Sequence, residues 1–134
     1  MFRWLRRGKP AALSGAPTVR RQKTYAAESG YVYQYYYLGQ RTARGGAADG
    51  TKYVFDVTSD RKNSFPVTVF LSRSAIEIWQ REHTRELTST ETYAVAKMAL
   101  FHAFDERPTP QAVAETIAPD TLEVGAILAS LNID

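Results

Sequence analysis

The chain contains no cysteine. Disulfides, thiolate metal sites and cysteine nucleophiles are therefore excluded together. The absence fits a reducing compartment, and we expect the cytoplasm. Histidine is almost as scarce, with only His83 and His102. No apolar run approaches the ~20 residues of a membrane-spanning helix. No acidic residue occurs before Glu28. There is no Gly-x-Ser-x-Gly elbow, no His-Glu-x-x-His zinc motif and no phosphate loop with a Lys-Ser/Thr pair. No internal repeat is visible.

What remains is one domain's worth of chain, 134 residues with 44% hydrophobic and 23% charged residues. That is an ordinary globular composition. The formal charge of +3 hides an asymmetry. Arg3, Arg6, Arg7, Lys9, Arg20, Arg21 and Lys23 all lie in residues 1–24, without an acid. The remainder carries 10 basic and 14 acidic residues, a net charge of −4. We therefore expect a basic, flexible N-terminal arm over residues 1–24 and a single mildly acidic domain over 25–134. Gly8, Pro10, Gly15 and Pro17 argue against a packed element in the arm. "AALSGAP" is too short and too polar for the apolar core of a secretion signal. The Arg-rich, acid-free composition with its three alanines also matches a mitochondrial presequence.

Three runs read as strands: Tyr31–Leu38, Lys52–Thr58 and Phe65–Leu71. Each is rich in aromatic and β-branched residues and bounded by Gly, Asp, Asn or Ser. "GQRTARGGAADG" predicts a long hairpin loop, and "SDRKNS" a short turn. Sequential pairing gives an antiparallel meander. Alternation places Tyr53, Phe55 and Val57 on one face and Val67, Val69 and Leu71 on one face. The first strand holds five tyrosines between Tyr31 and Tyr37. Tyr31, Tyr33, Tyr35 and Tyr37 share a face; Val32, Gln34, Tyr36 and Leu38 take the other. Both faces are amphipathic, so alternation leaves open which is inward.

The second half reads as helix. Ser74 with Glu77 predicts a capping box before a face of Ala75, Ile78 and Trp79. Thr88 with Glu91 predicts another, opening a helix apolar over most of its circumference from Tyr93 to Phe104. It reads as the central buried helix, stopped by "RPTP". The tail predicts two short helices broken at Pro119. Asp120 caps the second, with an apolar stripe of Leu122, Ala126, Ile127 and Leu131, and Ile133 suggests a docked terminus. The fold class is α+β: a three-stranded antiparallel meander packed on a central buried helix with a helical C-terminal tail, a two-layer sandwich.

Chemistry-bearing residues are sparse. Each histidine has carboxylates one turn on, but in His-x-x-acid order rather than the Glu-x-x-His of helical metal sites. We expect no catalytic residue, no metal and no cofactor. Asp105 and Glu106 oppose the macrodipole at a helix C-terminus, which predicts a salt bridge to Arg107 or a loop arginine. The contact candidates are Tyr31, Tyr33, Tyr35 and Tyr37, with Arg41 and Arg44 of the loop and Arg6, Arg7, Arg20 and Arg21 of the arm. Tyrosine suits half-buried interfaces, and an uncharged aromatic edge strand invites pairing with another chain. The sequence thus points to a small non-enzymatic interaction domain that self-associates, or binds a protein partner, through its tyrosine-rich strand. The alternative is nucleic-acid binding, with the basic arm on phosphates and the tyrosines stacking bases.

Overall fold

The computed structural model describes residues 12–45 and 49–134. It is α+β, with an antiparallel sheet of four strands in sequential order. The strands are β1 (Lys23–Ala26), β2 (Val32–Ala43), β3 (Gly50–Thr58) and β4 (Ser64–Ser72). The helices are α1 (Arg73–His83), α2 (Ser89–Glu106), α3 (Pro110–Val113) and α4 (Thr121–Ser130). The meander holds, but with four strands instead of three. The extra strand, β1, is only "KTYA", too short and too polar to announce itself. It is a strand because Lys23–Ala26 pair with Tyr35–Val32.

β2 runs on past Leu38 to Ala43, so the loop to β3 is shorter than its glycine content implies. The extension is reached through a register shift between Tyr37 and Gly39. Of the expected arm, residues 1–11 lie outside the described residues. Lys23 and Thr24 belong to β1, and Ser14 forms an isolated bridge to Gln40. On the far side of the sheet Ile117 bridges β4, accepting from the Phe70 N–H at 2.7 Å and donating to the Thr68 carbonyl at 2.9 Å.

The orientation of the tyrosine strand is settled by burial. Tyr33 and Tyr35 are 0% and 4% exposed and face the helices with Phe55, Val57, Val67 and Val69. The Tyr33 ring stacks on Phe104 of α2 at 4.2 Å, and Tyr25 of β1 stacks on Phe101 at 4.5 Å. Tyr35 meets both phenylalanines at about 6 Å, edge-on to Phe101. Burying side chains of this size contributes roughly 1.5–3 kcal/mol each. α2 is buried along Val95, Ala96, Ala99, Leu100, Ala103 and Phe104, and its alanines let neighbours approach closely.

Several local expectations change. α1 is capped by Ser72, whose hydroxyl accepts from the Ala75 N–H at 3.1 Å; Ser74 with Glu77 is not the cap. β4 runs directly into α1, so the last strand residue supplies the extended cap backbone. Asp120 does cap α4, but the buried residues are Val124, Ile127 and Leu128, while Leu122 is 83% exposed and Ala126 is exposed. The cap fixes the helix phase and turns Leu122 outward. Thr88 and Glu91 form the expected capping box, and Glu91 also receives a two-pronged contact from Arg85 at 3.0 and 2.9 Å. Arg85 further lies 5.5 Å over the Trp79 ring and donates to the Asp134 carbonyl.

Two predictions follow from these contacts. The Tyr33 hydroxyl is buried without a hydrogen-bond partner among the described residues. Tyr33→Phe should therefore stabilise the fold by about 1 kcal/mol, while Tyr33→Ala should cost about 3–5 kcal/mol, both read by urea unfolding. Arg85 and the Thr88 N–H hold the Glu91 carboxyl down at about 2, from an ordinary 4.5. This stabilisation is present above pH 4.5 and lost as the pH falls toward 2. Glu91→Gln should flatten that part of the acid-unfolding curve.

Candidate binding cleft

The β1–β2 hairpin is clamped to the end of α2 by one carboxylate. Asp105 accepts from the Tyr25 hydroxyl at 2.7 Å and from the Glu28 N–H at 2.9 Å, and the Ser29 hydroxyl donates to the Phe104 carbonyl at 2.8 Å. The expected salt bridge from Asp105 to Arg107 is not made. Hydrogen bonds from the hairpin offset the unfavourable macrodipole instead. Arg107 turns to the carbonyls of Ala112, Glu115 and Thr116, where a cation complements the end of α3.

With the hairpin fixed, the chain upstream of Lys23 leaves β2 and returns at Ser14. There Ser14 and Gln40 exchange two backbone hydrogen bonds, each 2.8 Å. Between these anchors β2 spends residues 36–39 while the N-terminal segment spends 15–22, so the segment bows away. The return needs Gly39, whose φ is +134° and where a Cβ would meet the Ser14 carbonyl oxygen at 2.7 Å. The Ala27–Tyr31 closure puts the amides of Tyr33 and Tyr35 on the β1 side, and ladder alternation puts those of Tyr37 on the same side. Among the described residues Tyr37 has no strand partner there, because pairing with β1 ends at Lys23–Tyr35.

The bow opens a cleft of about 640 Å³. Its walls are Tyr35, Tyr37 and Tyr93 on one side and Pro17 and Val19 on the other, with Gln40, Ser89 and Thr90 as neutral polar groups. Tyr37 and Tyr93 meet edge-to-face at 4.8 Å, and the Tyr37 hydroxyl donates to Gln40 Oε1 at 3.1 Å. Ser89 and Thr90 start α2, so the positive end of its dipole faces the cleft. The charged lining residues are Arg21 and Lys23, both exposed. Lys97 lies near enough for the Lys23 charge, after burial, to lower its own ammonium pKa.

The phenols here resist ionisation. Burial, then neighbouring Tyr53 and Tyr93, pushes Tyr37 up to about 12 from 10.0. Burial also raises Tyr35 and Tyr93. Tyr25 rises to about 12 through burial and then the Asp105 carboxylate.

The structure gathers some of the expected contact residues and separates others. Tyr33 lies wholly in the core, Tyr35 lines the cleft while only 4% exposed, and Tyr37 is half-buried in the cleft wall. Tyr31 is 38% exposed at the start of the strand, beside Val32 at 50%. Tyr36 faces the opposite side of the sheet, with the Arg20 guanidinium 5.3 Å over its ring, and also lines the cleft. Arg21 lines the cleft. Arg41 pairs with Lys52 across β2 and β3, its Nε buried without a partner among the described residues, and Arg44 is exposed after β2. Arg6 and Arg7 lie outside the described residues. Pro17, Val19, Lys23, Ser89, Thr90 and Tyr93 were not foreseen as site residues. His83 sits flat on Trp79 at 4.1 Å, with Nδ1 2.9 Å from the Trp79 carbonyl. Among the described residues, no three His, Asp or Glu side chains converge on a metal-sized site.

Comparison with protein-family models, with curated proteins and with solved structures gives no match, so the functional reading rests on geometry and chemistry.

The titration of these phenols is directly testable. Phenolate absorbance should show Tyr25 and Tyr37 ionising near pH 12, and Asp105→Asn should bring Tyr25 back toward 10. The neutral phenol is the form the fold favours, so this contribution is whole below pH 10 and is lost as the pH rises through 12.

Proposed function

We propose that this chain is a small non-enzymatic binding domain and that the cleft beside β2 is its contact site. The carrying observation is the concave cleft of about 640 Å³, within the range that holds small ligands. Its aromatic walls stand on β2 and α2, and rigid elements hold contact groups better than loops do. The tyrosine-rich strand contributes through Tyr35 and Tyr37. Its start, with Tyr31 and Val32 exposed, is the part that a second copy of the chain would cover in self-association.

A second reading, nucleic-acid binding, draws mainly on the other face of the sheet. On the sheet face away from the helices, Arg20 lies over Tyr36 and Arg41 sits beside Lys52. Phosphates would meet these cations, but the buried Tyr33 and Tyr35 rings leave little for bases to stack on.

Light scattering after size-exclusion chromatography separates the two. The interaction reading expects a dimer that survives high salt, ignores a single-stranded oligonucleotide and becomes a monomer on Val32→Asp with no loss of thermal stability. A monomer that shifts with the oligonucleotide only at low salt, and no longer shifts after Arg20→Ala with Arg41→Ala, would overturn that reading in favour of the second.

A further inference from the structure

Resting on the cleft reading above, we infer that the cleft binds a compact organic anion with a flat aromatic body, such as an arene carboxylate.

The closure of the cleft decides the kind of occupant. At one end Lys23 pairs with Tyr35; at the other Ser14 pairs with Gln40 through two backbone bonds. Both ends of the gap are thus shut by chain already in the ladder. A polypeptide cannot run through it as an added strand, although β2 leaves the Tyr37 amide open between the anchors. The opening admits a molecule of limited length, and about 640 Å³ suits one of small-ligand size.

The walls decide its body. Tyr35, Tyr37 and Tyr93 supply three aromatic rings, and Pro17 and Val19 come from the bowed segment, with Val19 62% exposed. Such a slot favours an aromatic plane, which gains offset or edge contacts with the tyrosines.

The charges decide its sign. Among the described residues the ionic members of the lining are Arg21 and Lys23, and none is acidic. The first turn of α2, at Ser89 and Thr90, adds the positive end of an 18-residue helix. A carboxylate in the cleft would accept the charge-assisted contact from Arg21 or Lys23.

Calorimetric titration with naphthoate and with its uncharged amide tests this, with amide NMR to locate the contact. We expect naphthoate to bind one site per chain, shifting the amides of Tyr37, Thr90 and Tyr93, and the amide to bind about tenfold more weakly. Arg21→Ala with Lys23→Ala, both exposed positions, should cost naphthoate about tenfold and leave the amide unchanged. Thermal unfolding checks that the double variant remains folded. Equal affinity of the two probes, or indifference of naphthoate to the double variant, would overturn the anion assignment while leaving the cleft a binding site. Failure of both probes to perturb the cleft would overturn the assignment and the cleft reading together.

Discussion

Everything in this fold hangs on rings stacked between one strand and one helix. β2 sends Tyr33 and Tyr35 inward, α2 sends down Phe101 and Phe104, and Tyr25 of β1 joins from the side. That seam fixes how α2 lies over the sheet. It also fixes β2's register, because slipping by one residue would turn the inner tyrosines to water. The cleft is where the seam runs out. Tyr37 and Tyr93 continue the row of rings, but no strand among the described residues covers them, so the same aromatic surface passes from core into cleft wall.

Charged groups do their structural work here mostly by gripping backbone. Asp105 holds the β1–β2 hairpin, Arg107 gathers the carbonyls after α3, and Arg85 ties the start of α2 to Trp79 and the chain's last residue. Ion pairs at the surface contribute little because water screens them. A charge bonded to several oriented amides or carbonyls is stronger and directional. Each such grip sits at a helix end, where backbone groups lack partners. The helical layer is thereby pinned at its corners, and the aromatic seam needs only to fill the middle.

Much of this was legible in the sequence. The β-then-α order, the three longer strands, the central helix with its Thr88–Glu91 box and the Asp120 cap all follow from periodicity and capping chemistry. β1 did not, because four residues with one aromatic have no periodicity to read; only pairing makes them a strand. Nor did Ser72, since two serines stand near the helix start and the end of β4 chooses between them. The tyrosine row was visible, but both of its faces are amphipathic, so only the phenylalanines of α2, some 70 residues on, select the inner one. The cleft was the least legible feature. Its members come from residues 14–23, 35–40 and 89–93, and what joins them is the Ser14–Gln40 bridge, a long-range contact with no local signature.

The unequal run of chain between the two anchors has a consequence for how such a domain diversifies. Because residues 15–22 form no ladder and residues 36–39 do, one wall of the cleft is decoupled from the sheet. Lengthening a surface loop is thermodynamically mild, about 0.6 kcal/mol for each doubling. The outer wall can therefore lengthen, shorten or exchange side chains while the inner wall of rings stays fixed. The variable wall and the wall that folding depends on sit on opposite sides of the same gap, and one can drift without endangering the other.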